Sequence, residues 1–196
     1  MSDVVLVDAG GTNIGSVRYA LERLGVQAEL SRDAARIAAA SHVILPGVGA
    51  AAPAMQRLRD FGLIDVVRGL KQPVLGVCLG MQLLFAHSEE SDTPCLGVID
   101  ASVRRFQSST LRIPQMGWNC LRAEREHPLL AGLDAAAYAY FVHSYAAPVG
   151  AWTLASADYG IRFSAIVQKA NFFGMQFHPE RSSAPGARLL RNFLDL

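Results

Sequence analysis

The chain has 196 residues, of which 51% are apolar and 18% charged, and a formal net charge of +1. That length supports a substantial core and favours a single domain spanning 1–196, while the near-zero charge gives no long-range field to recruit nucleic acid or an anionic membrane surface. No apolar run approaches the roughly 20 residues needed to cross a bilayer, and Cys78, Cys95 and Cys120 are too widely spaced for a disulfide framework or a zinc site, which points to a reducing cytoplasm.

Met1–Asp8 has no basic n-region and enters strand-type sequence at once, so no secretory signal is expected. Val4–Val7 is a continuous β-branched and leucine run, the pattern of a strand buried on both faces. After Gly10-Gly11-Thr12-Asn13, the stretch Ile14–Leu24 puts Ile14, Val17, Leu21 and Leu24 on one helical face, and Gly25 is a stop. The glycine-rich turn fits neither G-x-G-x-x-G nor a Walker pattern, which argues against a nucleotide site. A second buried strand, Val43–Leu45, ends in Pro46-Gly47-Val48-Gly49. A helix is expected over Pro53–Leu70, followed by the strand that carries Cys78. Alternating strands and helices of this kind imply an α/β fold with a mostly parallel sheet flanked by helices.

From Gly97 the pattern changes to short strands between turns: Val103–Phe106, Trp118–Leu121, Tyr138–Val142, Thr153–Ala155, Ala165–Val167 and Phe172–Phe177. These read as an antiparallel extension of the sheet. A terminal amphipathic helix, Ala184–Leu196, returns Leu189, Leu190, Phe193 and Leu194 to the core, with Arg188 and Arg191 on a solvated face.

The chemistry concentrates around Cys78. Pro73-Val74-Leu75-Gly76-Val77-Cys78-Leu79-Gly80-Met81-Gln82-Leu83-Leu84-Phe85 is a strand-type run, then Gly-x-Cys-x-Gly, then a helix-type run: a nucleophile elbow with a thiol. So sharp a turn leaves almost no room for side chains two positions before and after the nucleophile, and Gly76 and Gly80 meet that need. The sulfur then sits at a helix N-terminus, where unpaired N–H groups favour the thiolate. A thiolate requires a proton acceptor and the acceptor an orienting group. His178 lies at a strand end, Pro179 stops the strand, and Glu180 is placed to hold the imidazole. The backbone N–H of Leu79 is the expected oxyanion donor, with a second from the Gly47-Val48-Gly49 turn, here Val48 or Gly49. His143, in Phe-Val-His-Ser-Tyr, reads as a structural histidine holding a loop, and Cys95 and Cys120 as structural thiols.

Pro46–Gly49, Gly76–Gln82 and Gln176–Glu180 together resemble the class I (triad-type) glutamine amidotransferases, whose fold is flavodoxin-like. Asp8–Asn13, Arg112–Asn119 and Tyr140–Tyr145 narrow the likeness to the glutaminase subunits of imidazole glycerol phosphate synthases. The resemblance runs nearly end to end, and Pro114-Gln115-Met116-Gly117-Trp118-Asn119 is its most specific stretch. It implies hydrolysis of glutamine through a γ-glutamyl thioester on Cys78, with His178 and Glu180 completing the relay and no cofactor or metal. It also implies contact of substrate with Gln82 and the Gly47–Gly49 turn. Ammonia would pass to a (β/α)₈ barrel cyclase subunit, and Asn13, Trp118, Tyr140 and Arg181 match positions at the face that meets it. Two positions depart from the pattern: Gln115 stands where the family usually has histidine, and Arg181 where related subunits often have lysine.

Three other functions compete with this one. A freestanding cysteine hydrolase on the same fold would turn over without a partner. A redox sensor would not need His178 and Glu180. An amidotransferase for another synthase would lack the Pro114–Asn119 stretch.

Overall fold

A computed structural model describes residues 3–9 and 14–196, so Asn13 and the glycine turn before it lie outside the described residues. The chain begins β1 (Val4–Val7), α1 (Ile14–Arg23), β2 (Ala28–Ser31), α2 (Ala34–Ala39) and β3 (His42–Gly47). It continues α3 (Ala51–Asp60), α4 (Leu63–Gly69), β4 (Val74–Cys78), α5 (Leu79–Leu83), β5 (Phe85–Ser88), β6 (Thr93–Pro94) and β7 (Ile99–Arg105). Then come β8 (Gln115–Cys120), β9 (Arg122–Ala123), β10 (Tyr138–His143), β11 (Tyr145–Ala146), β12 (Thr153–Asp158), β13 (Arg162–Lys169), β14 (Phe172–Met175) and α6 (Ser183–Leu194).

The main sheet has the order β2-β1-β3-β4-β14-β13-β12-β9. Its first five strands are parallel and the last three antiparallel, so β13, β12 and β9 extend one edge of a doubly wound core as expected. By contrast β7, β8 and β10, expected in the same extension, lie in two smaller sheets of order β11-β7-β5-β6 and β10-β8. Every residue of β1, β4 and β14 is buried, as continuous apolar runs predict for strands covered on both faces. Alternate residues feed two different cores. Val4, Leu6, Ile44, Leu75 and Val77 meet α1 and α6 through Val17, Leu21, Leu189 and Phe193. Val5, Val7, Val43, Leu45 and Val74 meet α2, α3 and α4 through Ile37, Met55, Leu58, Leu63 and Val67. No described helix is long and apolar enough to cross a membrane.

Several elements differ from expectation, each for a local reason. The single helix expected over 53–70 is two helices, because Gly62 takes a left-handed conformation at φ 66° and turns the chain between them. β2 escapes pattern reading because it is an edge strand in which only Ala28 is buried. The short α2 is announced only by Asp33, whose side chain accepts from Arg36 N–H at 2.9 Å as an N-cap. The helix after Cys78 stops at Leu83, and Phe85 opens a strand instead. Arg191 is not simply solvated either: its guanidinium donates to the Leu24 carbonyl and ties α6 to the end of α1.

The glycines around Cys78 are demanded by contact. A Cβ on Gly76 would lie 2.5 Å from the Gly80 carbonyl oxygen, one on Gly47 2.6 Å from Gly80 N, and one on Gly80 1.9 Å from the Leu45 oxygen. All of these obstacles are backbone and cannot step aside. Gly80→Ala is therefore expected to lower stability by at least ~3 kcal/mol or prevent folding, whereas Gly69→Ala, with nothing within 4 Å, should stay within about 1 kcal/mol. Urea unfolding of the two variants checks the contrast, and a tolerated Gly80→Ala would refute it.

Candidate active site

Cys78 is the last residue of β4 and the N-cap of α5, with φ 54° and ψ −110°. That conformation costs about 1–3 kcal/mol in a non-glycine residue and is held by the close crossing of β3, β4 and α5. It turns the sulfur out of the sheet at the carboxyl end of the strands, where crevices of doubly wound sheets form. The neighbouring strand β3 ends at Gly47, paired with Cys78 in register. Gly49, at φ 92°, completes the turn into α3.

His178 follows β14, which runs parallel to β4 with Met175 opposite Val77. This pairing brings residues a hundred positions apart to one rim of the sheet. The His178 segment is pinned on both sides. Its N–H donates to the Tyr140 carbonyl at 3.0 Å, and the fully buried Ser182 hydroxyl donates to its carbonyl at 2.7 Å while accepting from Tyr140 N–H at 2.9 Å. Gly186 of α6 packs so closely on the 179–181 turn that a Cβ would stand 2.0 Å from the Pro179 oxygen. Glu180 is thus held with its side chain fully buried, and its Oε1 accepts from His178 Nδ1 at 2.8 Å.

Burial alone would lower the His178 pKa. The hydrogen bonds to Cys78 and Glu180, and their negative charge, outweigh it and push the imidazole up to about 10. At neutral pH His178 is therefore a cation between a sulfur and a carboxylate, with the proton stored on the group that can deliver it. The Cys78 sulfur also lies 3.9 Å from the Val142 carbonyl and 4.0 Å from Gln176 Nε2.

These groups open on a cavity of about 330 Å³ lined by Val48, Gly49, Cys78, Leu79, Gln82, Glu90, His143, Tyr145 and His178, among others. Its size lies at the small end of ligand pockets (roughly 300–1,000 Å³). The expected oxyanion residues Val48, Gly49 and Leu79 all reach it, and Leu79, as the first residue of α5, has an N–H with no intrahelical acceptor. Gln82 lines the cavity too, although its Nε2 is engaged by the Tyr145 carbonyl at 2.9 Å and Gln176 Oε1 at 3.0 Å. Gly47 stands just behind, under Leu79 and Gly80.

Glu90 is a lining residue that sequence reasoning missed. It lies in the turn between β5 and β6, and its Oε2 accepts from Ala51 N–H at 2.8 Å, capping α3 from 39 positions away. The acidic stretch Ser88–Asp92 carries no signal for this, because Ser-Glu-Glu-Ser-Asp reads as a solvated turn.

The expected interface residues Trp118, Tyr140 and Arg181 form one outward cluster beside the cavity. Trp118 packs edge-on to Tyr140, and the Arg181 guanidinium lies 5.5 Å over the Tyr140 ring. With Met116 and Tyr138 they make an apolar face on the β8–β10 pair, where Met116 is 65% exposed, Trp118 53% and Tyr138 52%. Gln115, on the opposite face of β8, is buried.

The chain belongs to the class-I glutamine amidotransferase family, which matches residues 5–196. A solved structure described as a glutamine amidotransferase has the same fold, with a TM-score of 0.75 at 24% identity over 98% of this chain and 97% of that one. Among curated proteins, the chain is 59% identical to "Imidazole glycerol phosphate synthase subunit HisH" of Xanthomonas axonopodis pv. citri (strain 306). It is 58% identical to the protein of that name from Xanthomonas euvesicatoria pv. vesicatoria (strain 85-10), and each alignment covers 100% of this chain and 98% of the relative. The family resemblance in the sequence therefore holds: the chain is a class-I glutamine amidotransferase, and the relatives it matches end to end are named as subunits of a synthase.

His143 is the electrostatic opposite of His178. Burial pushes it down to about 4, against a hydrogen bond to the Tyr145 carbonyl at 2.8 Å that raises it, so it stays neutral. Because its folded value lies below the unfolded one, its neutral state contributes stability above about pH 6.5 that is lost as pH falls towards 4. His143→Gln should remove roughly 2 kcal/mol of the stability lost between about pH 7 and pH 4.5, as read by urea unfolding. His42 and His127, also lowered by burial, remain in both proteins and cancel. An unchanged pH dependence would contradict the assignment.

Proposed function

We propose that Cys78, His178 and Glu180 hydrolyse the side-chain amide of glutamine, and that the ammonia serves a synthesis on a partner subunit. The observation that carries this reading is the single chain of contacts running from the Cys78 sulfur through the His178 ring to Glu180, at the wall of a cavity of amino-acid size. The Cys78 thiolate attacks the amide carbon, and the oxyanion is met by the N–H of Leu79 and by the Val48–Gly49 turn. His178 gives its proton to the leaving nitrogen, releasing ammonia and leaving a γ-glutamyl thioester. The now neutral imidazole takes a proton from water, whose oxygen attacks the thioester carbon. The carbon–sulfur bond breaks, its electron pair returns to sulfur, and glutamate departs. Glu180 orients the ring throughout and stabilises its charge. Gln82 and the Gly47–Gly49 turn hold the substrate, and the Glu90 carboxylate meets its α-ammonium group.

The partner in this reading is a (β/α)₈ barrel cyclase that uses the ammonia to make imidazole glycerol phosphate and aminoimidazole carboxamide ribotide in histidine biosynthesis. Supporting it are the names of the relatives and the apolar face at Met116, Trp118, Tyr138 and Tyr140, which stands beside the cavity. Asn13 and Arg181 belong to the same proposed interface. The chain works as one domain over 1–196, in the cytoplasm.

Cys78→Ala is expected to abolish glutamine-dependent product formation by the reconstituted complex while leaving synthesis from ammonium salts intact; loss of both would contradict the division of labour. Glu180→Gln should reduce kcat less than either Cys78→Ala or His178→Ala. Glu90→Gln should raise KM for glutamine about tenfold or more with kcat within a few-fold, because it removes a charge that contacts substrate and transition state alike. Steady-state glutaminase assays with the cyclase and its nucleotide present decide both, and an unchanged KM would remove Glu90 from the substrate site.

A further inference from the structure

We infer that Gln176 is a working part of the site: its side-chain amide stabilises the Cys78 sulfur as an anion and, with the Tyr145 carbonyl, engages the NH₂ end of Gln82. The inference rests on the proposed role of Cys78 as nucleophile.

Gln176 is completely buried just beyond β14, its backbone N–H bonded to the Ala165 carbonyl at 2.9 Å. Its orientation follows from one fixed group. Gln82 Nε2 lies 2.9 Å from the Tyr145 backbone carbonyl, which can only accept, so the NH₂ end of Gln82 must face it. The same NH₂ lies 3.0 Å from Gln176, whose nearer atom must then be its oxygen. The NH₂ of Gln176 is thereby turned to the sulfur, 4.0 Å away. A backbone carbonyl thus sets the direction of the whole relay, from Tyr145 through Gln82 and Gln176 to Cys78.

The Val142 carbonyl, 3.9 Å from the sulfur, accepts from a thiol but repels a thiolate. Of the two amide-type contacts, only Gln176 favours the anion. The other ionisable groups lining the cavity with Cys78 are His178 at the exit of β14, His143 on β10, Tyr145 on β11 and Glu90 in the β5–β6 turn, with Glu180 behind His178. Once His178 has given up its proton, Gln176 still donates to the sulfur, and it does so when the carbon–sulfur bond of the thioester breaks and the electron pair returns. With its NH₂ engaged, Gln82 has only its oxygen to offer, so it accepts from a ligand N–H.

The test is the rate at which iodoacetamide alkylates Cys78 in the full chain near neutral pH, followed by mass spectrometry of the peptide carrying it. Gln176→Met should slow alkylation about tenfold. Gln176→Glu, which keeps the shape and the contact to Gln82 but aims an oxygen at the sulfur, should slow it further, and kcat for glutamine should fall in the same order. A purely structural Gln176 would loosen a buried site when replaced, so alkylation at an unchanged or faster rate overturns the inference. If Gln176→Met does not fold, the near-isosteric Gln176→Glu carries the same test. Failure of the underlying reading looks different: wild-type protein that hydrolyses no glutamine in the complex would overturn both.

Discussion

Three backbones meet at Gly47, Gly76 and Gly80, closer than any side chain allows, and the site depends on that meeting. Because β3, β4 and α5 touch there, Cys78 has no ordinary conformation available and takes φ 54°. The strain is sustained by what lies beneath it: Val43–Leu45 and Val74–Val77 are packed on both faces of the sheet by two separate cores. The same crossing puts the first N–H of α5 next to the end of β3, so the nucleophile and the groups able to meet an oxyanion are positioned by one contact.

The second half of the site is assembled from distant chain by parallel pairing. β14 lies against β4 with Gly174 opposite Gly76 and Met175 opposite Val77, and this register brings the segment just beyond β14, with His178, to the rim where Cys78 ends β4. A slip of one residue would invert the faces of β14 and withdraw the imidazole. Tyr140, Ser182 and Gly186 then fix the turn from three directions, so that Glu180 reaches Nδ1 without exposure to water. Burial would neutralise an isolated histidine, as it does His143, and the sulfur and carboxylate on either side of His178 reverse that outcome.

What could be read from the sequence divides along the same lines. Cys78 and its glycines form a local pattern whose steric reason is visible in the residues themselves, and His178-Pro179-Glu180 is equally local. The parallel core was legible because strands buried on both faces are uniformly apolar, and β2 was not because it is a half-exposed edge. The stretch from Leu79 to Phe85 is apolar but for Gln82, so periodicity gives no sign that the helix stops at Leu83 and a strand begins. Glu90 was illegible because its partner is a backbone N–H 39 residues away. Gln176 stood in view within its motif, but its orientation depends on a carbonyl at Tyr145 that no pattern encodes.

The most direct measurement is to quench the complex within milliseconds of mixing with glutamine and search every cysteine-containing peptide by mass spectrometry. The account predicts a γ-glutamyl adduct on Cys78, with Cys95 and Cys120 unmodified. Steady turnover with the adduct on another residue, or with none captured under conditions where release from the enzyme is rate-limiting, would contradict it.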